Sequence, residues 1–347
     1  MLPFPDEAWP VKPPIHGKRG REVDGEPNPS HDVSGIACIE TKDFPRHGLV
    51  IDDERRSAQL VIVDDGRLFG GDSIKLLAGE GESLDGEGVA YDAGCFYVIG
   101  SHGHPRDPKH KLDPDDDEDL RKIRAQIDAA SHLFEIAVPP DGFSDPDKTT
   151  MTVTRDLSLR PALASLAVLD DFFDKRLDRN GLSIEGLAVR GGVVHAGLRS
   201  PILTGAELGR PEEAESHFAG LVSVALKDLP APEGRTCITW LPLGAGRGIR
   251  DLAPYGDGLL ILAGPSRDIA ADISVPAGAY ALYFKRWPDG ALKKLGLIPG
   301  GHDPHTGEAL KPEAILPLDV ADGRLRVLVL FDHAESGGPR PFLFNLP

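Results

Sequence analysis

The sequence has few cysteines, no long apolar run and little positive charge, which are the features of disulfide-rich, membrane-spanning and nucleic-acid-binding proteins. Its 3 cysteines are far apart and odd in number, so neither a disulfide framework nor a zinc knuckle is indicated. No apolar run approaches the ~20 residues that a membrane-spanning helix needs. Positive charge is scarce, because 38 Lys and Arg face 55 Asp and Glu, for a net charge of -17. That balance disfavours nucleic acid and anionic membranes as partners.

Signals for export and for nucleotide binding are also missing. The first twenty residues lack the charged segment followed by an apolar segment that marks a secretory signal, so we expect a cytoplasmic protein. Gly244–Gly248 contains a G-x-G pattern without a P-loop lysine or a following helix, and we therefore expect neither a nucleotide nor a flavin cofactor. The sequence says nothing about the oligomeric state.

What is present is a chain rich in turn residues, with Gly 40 and Pro 31, and one phrase that recurs along it. In the phrase, a polar or acidic residue precedes a small residue, an aliphatic residue and usually alanine. A strongly apolar strand follows and ends at a polar cluster. The five copies contain Ser34-Gly35-Ile36-Ala37, Glu87-Gly88-Val89-Ala90, Glu185-Gly186-Leu187-Ala188, Arg250-Asp251-Leu252-Ala253 and Pro312-Glu313-Ala314-Ile315.

The spacing of the copies predicts an all-β propeller. Copies begin at positions 34, 87, 185, 250 and 312, and two more apolar strands lie between most neighbours, so each unit reads as four antiparallel strands. We predict one propeller domain over residues 1–347 with five blades; six blades is the alternative. The long gap between the second and third copies predicts helical insertions at 104–130 and 156–180, between blades 2 and 3. The acidic run Asp113–Asp119 in it lacks the spacing of a calcium loop and is expected to be solvated.

In a propeller, the loops that lead into the inner strands and the loops that leave the second strands open on one face. The recurring polar residues of this chain stand at those two places, so we expect them to converge on a small-molecule site. Glu54, Glu87, Glu185 and Glu313 offer hard oxygen ligands for a divalent cation, Ca²⁺ or Mg²⁺. Arg199 and Arg250 are candidates for binding an anionic group, and His102 or His333 for a general base. The alternative is structural, with each carboxylate capping its own turn and closing the ring.

These blade motifs, together with Asp52-Asp53-Glu54 and Gly197-Leu198-Arg199-Ser200-Pro201, resemble an uncharacterised bacterial family classed as a domain of unknown function. That family is similar in its blade motifs to the esterase-like phytase propellers. The resemblance implies a propeller, and it implies phosphoester hydrolysis or calcium binding at the channel mouth. Glu54, Glu87 and Glu185 match the acidic positions of the phytase-like relatives. The fourth copy departs from the pattern, with Arg250-Asp251 where two other copies carry Glu-Gly.

Two hypotheses about function follow. In the first, the propeller is a metal-assisted hydrolase of a small anionic ester, a phosphoester or a lactone, at the mouth of the central channel. In the second, it is a non-enzymatic scaffold or ligand-binding propeller whose polar channel is structural. Whether the protein is an enzyme is left open by the sequence.

Overall fold

Each repeat of the sequence folds into one four-stranded antiparallel sheet, and the five sheets form the blades of a propeller. The computed structural model describes residues 5, 7–18, 28–79, 81–105, 111–139, 151–232, 235–267, 279–288, 290–303 and 306–346. Five blades are therefore the observed number, and the six-blade alternative is wrong. Among the described residues, no helix has the length and apolar character needed to cross a membrane.

The first three blades contain twelve strands in chain order. Blade 1 consists of β1 Val33–Cys38, β2 Arg46–Asp52, β3 Ser57–Asp64 and β4 Arg67–Lys75. Blade 2 consists of β5 Gly86–Asp92, β6 Cys95–Gly100, β7 Leu133–Ala137 and β8 Thr152–Leu157. Blade 3 consists of β9 Ser183–Arg190, β10 Val193–Thr204, β11 His217–Ala225 and β12 Cys237–Leu241.

Two further blades complete the ring. Blade 4 consists of β13 Arg247–Tyr255, β14 Gly258–Pro265, β15 Tyr280–Arg286 and β16 Leu292–Ile298. Blade 5 consists of β17 Gly301–His302, β18 Ala309–Ala321, β19 Arg324–Asp332 and β20 Arg340–Asn345. The inner strands β1, β5, β9, β13 and β18 each contact the next around the ring, and β18 closes it against β1.

The apolar core lies between blades. Five clusters of buried side chains occupy the five boundaries between neighbouring sheets. A central strand such as β14 is therefore covered on both faces and is almost continuously apolar, without the alternation of a half-exposed strand. This is why the second strand of each repeat stands out in the sequence.

The helical residues between the second and third copies of the repeat lie in two places. Helix α1, Asp117–Ala130, lies within blade 2, between β6 and β7, and residues 106–110 of the predicted insertion lie outside the described residues. Helix α2, Arg160–Ala164, and the 3-10 helix Ala167–Phe172 follow β8 and so separate blade 2 from blade 3. The sequence predicts both insertions between blades 2 and 3, but only this second helical group lies there.

The acidic run before α1 caps that helix. The side chain of Asp116 accepts hydrogen bonds from the backbone N–H groups of Glu118 at 2.9 Å and Asp119 at 3.1 Å. Acidic residues also fill the first helical turn, where the N-terminal end of the helix dipole favours negative charge. The run is solvent-exposed, as the sequence predicts for a solvated insertion.

Segments near the two chain ends meet at the boundary between blades 5 and 1. The backbone N–H of Trp9 donates to the carbonyl of Pro339 at 2.7 Å, and that of Lys12 donates to Leu68 of β4 at 3.0 Å. The N-terminal segment thus runs beside the outer strand of blade 1. The last strand, β20, pairs with β19 of blade 5, and its residues Pro341-Phe342-Leu343-Phe344 predict a late strand of the last blade from the sequence as well.

Candidate functional site

A small polar pocket lies at the end of the channel where the inner strands begin. Its volume is about 130 Å³, and all five blades contribute to its walls. The lining residues, which together we call the polar pocket, are Asp32, Ser34, Asp53, Glu87, Glu185, Arg199, Arg250, Pro265, Arg267, Tyr280, Lys311, Glu313, Asp332 and His333. The repeated polar positions come together here because each inner strand enters the ring at the same face.

One side of the polar pocket is a buried chain of alternating charges. The Nη1 atom of Arg199 lies 2.6 Å from Oε1 of Glu185, and Nε of Arg250 lies 2.9 Å from the other oxygen of Glu185. The guanidinium of Arg250 also donates from Nε and Nη2 to both carboxylate oxygens of Glu313. All four side chains are less than a tenth exposed. We call this set, which joins blades 3, 4 and 5, the ion-pair chain.

The ion-pair chain stabilises charges that would otherwise be costly to bury. An isolated ion loses several kcal/mol when it leaves water, and a partner at hydrogen-bond distance offsets that loss. Burial raises the pKa of Glu313 above its ordinary value, and the charge of Arg250 opposes that rise. Removal of one member therefore leaves its neighbours as uncompensated buried charges.

The fourth repeat departs from the others for a structural reason. Where the first three copies have glycine, the inner strands of neighbouring blades approach closely: a Cβ on Gly35 would lie 2.8 Å from the backbone nitrogen of Val89. At the boundary of blades 4 and 5 that position holds Asp251 instead. Its carboxylate accepts a hydrogen bond from the N–H of Ile315 on β18 at 2.7 Å, and so links the two inner strands. Burial raises the pKa of Asp251 well above its ordinary value.

The other side of the polar pocket is more open and combines carboxyls with two bases. Nζ of Lys311 lies 3.2 Å from Oδ2 of Asp332 and 3.3 Å from Nε2 of His333. His333 has a φ of 69°, a left-handed conformation that few non-glycine residues adopt, and its N–H donates to the carbonyl of His31 at 2.8 Å. Burial, and then the neighbouring charge of Asp332, raise the pKa of Asp32. We call Asp32, Lys311, Asp332 and His333 the open cluster.

The structure brings most of the predicted site residues together, and it separates two of them. Glu87, Glu185, Glu313, Arg199, Arg250 and His333 all line the polar pocket. Glu54 does not, because its side chain is 42% exposed on the surface and pairs with Lys18 at 3.0 Å. It lines a shallower neighbouring depression.

His102 is also outside the polar pocket, and its predicted role as a general base is wrong. The imidazole is completely buried. Its Nδ1 lies 2.8 Å from the carbonyl of Gly100, and its Nε2 accepts a hydrogen bond from the N–H of Leu159 at 3.0 Å. Both ring nitrogens are therefore used to hold the start of α2 against blade 2, and neither is available to a substrate.

Two buried histidines make stability depend on pH. Burial lowers the pKa of both His102 and His195 to about 4, so each stays neutral in the folded protein while it gains a proton near pH 6.5 when unfolded. The unfolded state thus binds more protons between pH 6.5 and 4, and stability falls as the pH falls through that window. We expect about 2 kcal/mol of loss per histidine by pH 4.5.

Urea denaturation of the wild type and of His195→Asn at pH 7 and pH 4.5 measures this dependence. The variant should lose less stability between the two pH values than the wild type does, whatever its stability at pH 7. His31→Gln, which changes an exposed histidine, serves as the control and should keep the wild-type difference. An unchanged difference in His195→Asn would contradict the prediction.

Lys311 is the pocket residue that sequence reasoning missed. It stands at the start of β18, two positions before Glu313, in the same copy of the repeat, so its position in that copy was the available signal. Arg267, in the polar cluster that ends the fourth copy, and Tyr280, which lies outside the repeated phrase, also line the polar pocket.

The described carboxylates do not fit a divalent-cation site as they stand. Glu185 and Glu313, two of the predicted ligands, are bound by guanidinium groups, and a third, Glu54, lies elsewhere. Among the residues that the structure describes, no group of three or more His, Cys, Asp or Glu side chains is placed to hold a metal ion. Binding of Ca²⁺ or Mg²⁺ stays a prediction from the sequence, and no chemical step below depends on it.

Solved structures are similar to this chain at low identity. A family GH43 β-1,3-galactosidase with galactodeoxynojirimycin is 13% identical over 94% of this chain and 93% of its own, with a TM-score of 0.45. A glycoside hydrolase family 43 arabinoxylan arabinofuranohydrolase from Bacillus subtilis, in complex with cellotetraose, is 10% identical over 94% and 64%, with a TM-score of 0.45. A YCF48 protein bound to a D1 peptide is 11% identical over 99% and 72%, with a TM-score of 0.32.

No curated protein matches the sequence. A family match does exist, and it spans residues 51–338, which include the inner strands of blades 2 to 5. The similarity to esterase-like phytase propellers is not tested by any of these comparisons. On the extent of that match, the chain belongs to the family described as "Protein of unknown function (DUF3616)".

Proposed function

We propose that the protein is a hydrolase of a small, neutral, hydroxyl-bearing lactone or ester, and that the reaction takes place at the open cluster of the polar pocket. The observation that carries the proposal is the convergence of the His333 imidazole, the Lys311 ammonium and the Asp332 carboxylate, with the Asp32 carboxyl lining the same pocket, to which every blade contributes. General acid–base catalysis of hydrolysis needs these types of group.

The charges of the polar pocket favour a neutral substrate over a phosphoester. Arg199 and Arg250, the cations that the sequence assigns to an anionic group, already bind Glu185 and Glu313. With Asp32 protonated, the lining still has five carboxylates, Asp53, Glu87, Glu185, Glu313 and Asp332, against four cations, Arg199, Arg250, Arg267 and Lys311. An anionic ester would therefore meet net repulsion. Of the two substrate classes predicted from the sequence, the lactone is the better match.

Each residue of the open cluster has a role in the proposed reaction. The imidazole of His333, placed between Lys311 and Asp332, takes a proton from water as that water attacks the ester carbon. The ammonium of Lys311 stabilises the negative charge that develops on the carbonyl oxygen. Asp32, whose raised pKa keeps its carboxyl protonated to a higher pH than usual, donates a proton to the leaving alkoxide. The products are a carboxylic acid and an alcohol.

A substrate panel with two variants tests the proposal. Purified protein is assayed against sugar lactones, p-nitrophenyl acetate and p-nitrophenyl phosphate. We expect turnover of lactones, and Asp32→Asn and His333→Gln should each lower kcat about 100-fold, the usual contribution of one acid–base group. Asp170→Asn, at an exposed position outside the polar pocket, is the matched control. Lactone turnover that both variants retain would refute the assignment, as would faster turnover of the phosphate ester.

The ion-pair chain favours a second candidate, a non-enzymatic scaffold. Its four charged groups bind one another across blades 3 to 5, which is what a purely structural channel requires. If that is the whole role of the polar pocket, the panel yields no turnover, and Asp32→Asn changes stability alone. Elemental analysis, and thermal unfolding with EDTA or with added Ca²⁺, decide in the same samples whether a divalent cation contributes.

A further inference from the structure

A second, larger cavity opens at the opposite end of the channel, where the inner strands finish. Its volume is about 710 Å³, within the range of pockets that bind drug-sized ligands. All five inner strands line it. Aliphatic side chains make most of its wall, among them Val89, Val189, Leu252, Leu316, Leu318 and Val320. We call it the apolar cavity.

The lining of the apolar cavity contains three acids and three cations, and the two sets differ in their partners. Each acid of its lining is held by a partner: Glu40 by His47 at 2.8 Å, Asp92 by the N–H of Gly192 at 2.9 Å, and Asp319 by the guanidinium of Arg326. The three cations of the lining are Lys42, Arg46 and Arg190, and within the described part of the chain none forms an ion pair with an acid.

Arg46 carries a buried donor that has no acceptor. Its side chain is completely buried, and its terminal nitrogens donate to the carbonyls of Pro317 at 2.8 Å and Leu318 at 2.5 Å. Its Nε is also buried and makes no hydrogen bond to any described residue. A buried N–H without an acceptor costs free energy, and the positive charge of the guanidinium favours an anion at the adjoining wall of the cavity. Lys42 is exposed in the loop between β1 and β2. Its backbone carbonyl accepts a hydrogen bond from Nη2 of Arg46 at 3.3 Å.

We propose that the apolar cavity binds a small amphipathic carboxylate, with its apolar body against the aliphatic wall and its carboxylate beside Arg46 and Lys42. The aliphatic wall and the cations together favour an amphipathic carboxylate, because an apolar wall alone would bind a neutral molecule equally well. The site is separate from the polar pocket, and its occupation does not depend on the proposed hydrolysis.

Three probes with the same eight-carbon chain test the charge requirement. 8-Anilinonaphthalene-1-sulfonate, an apolar anion whose fluorescence rises in apolar surroundings, reports occupation, and octanoate, 1-octanol and octylammonium compete with it. We expect octanoate to displace the dye at about tenfold lower concentration than octylammonium, since one favourable and one unfavourable charge contact separate the two. No dye binding, or equal displacement by octanoate and octylammonium, would overturn the proposal.

Two surface substitutions locate the binding in this cavity. Lys42→Glu should raise the octanoate concentration needed for displacement about fivefold and leave 1-octanol unchanged, whereas Lys75→Glu on the outer strand of the same blade should change neither. Val320, which is 52% exposed at the rim, can accept a larger side chain, so Val320→Trp should weaken all three probes. Val168→Trp, at another exposed valine, is its control. Equal behaviour of the variants and their controls would place the dye elsewhere and refute the site.

Discussion

Arg250→Met is expected to lower the free energy of unfolding by about 3–5 kcal/mol, the usual cost of breaking a buried ion pair by removing one partner. Arg250 is the centre of the ion-pair chain, and both Glu185 and Glu313 depend on it. Without the guanidinium, two buried carboxylates would face each other with no cation between them. Urea denaturation at pH 7, monitored by tryptophan fluorescence, measures the loss.

The controls separate this effect from the loss of a surface charge. Arg286 pairs with Asp257 at 2.9 Å, but both side chains are 65% exposed, so Arg286→Met should cost less than about 1 kcal/mol. Glu185 keeps its contact with Arg199, so the double variant Arg250→Met with Glu313→Gln removes the carboxylate that the single variant leaves without a guanidinium, and it should recover part of the stability. A single variant Arg250→Met as stable as the wild type would show that the ion-pair chain does not stabilise the propeller.

Gly35→Val is expected to cost at least about 3 kcal/mol, toward the upper end of the overpacking range. A Cβ at this position would lie 2.8 Å from the nitrogen of Val89 and 2.9 Å from the Cα of Gly88. Those atoms belong to the backbone of the neighbouring inner strand, so they cannot move aside as a flexible side chain would. The blades would have to separate at the ring, where the two sheets share one apolar cluster.

A second glycine provides the comparison for this substitution. Gly256 has a φ of 53° and no atom within 4 Å of an added Cβ, and asparagine tolerates that backbone conformation well. Gly256→Asn should therefore leave the thermal unfolding midpoint nearly unchanged, while Gly35→Val lowers it or prevents folding. Equal midpoints for the two variants would mean that the close approach between blades 1 and 2 is not a packing constraint.

Local patterns in the sequence were sufficient to identify most strands. The sequence predicts a strand at Cys237-Ile238-Thr239-Trp240-Leu241, and these residues form β12, because alternation and turn residues act within a few positions of one another. For blade 1, the sequence predicts an outer strand at Ser73-Ile74-Lys75-Leu76-Leu77, but the strand extends from Arg67 to Lys75. The missed signal is Asp65-Gly66, a two-residue hairpin turn that joins β3 directly to β4, with Gly66 at a φ of 93°.

Pairing between polar residues could not be predicted in the same way. Glu185, Arg250 and Glu313 were each identified from the repeat. The two carboxylates were expected to bind a divalent metal cation, but they bind the guanidinium of Arg250. The three residues come from three different blades. The way their side chains meet depends on the number of blades and on the closure of the ring. His102 shows the same limit, since its burial follows from α2, a segment outside the repeat.

The sequence by itself determined the all-β class, the repeat, the strands and the face on which the recurring polar residues gather, because these depend on local periodicity and on a phrase copied five times. The tertiary structure decided that the ring closes at five blades and that carboxylates and guanidiniums neutralise one another on one side of the polar pocket. It also decided that an apolar cavity opens at the opposite end of the central channel. Each of these depends on distances between residues of different blades, and those distances are fixed only when the last inner strand packs against the first.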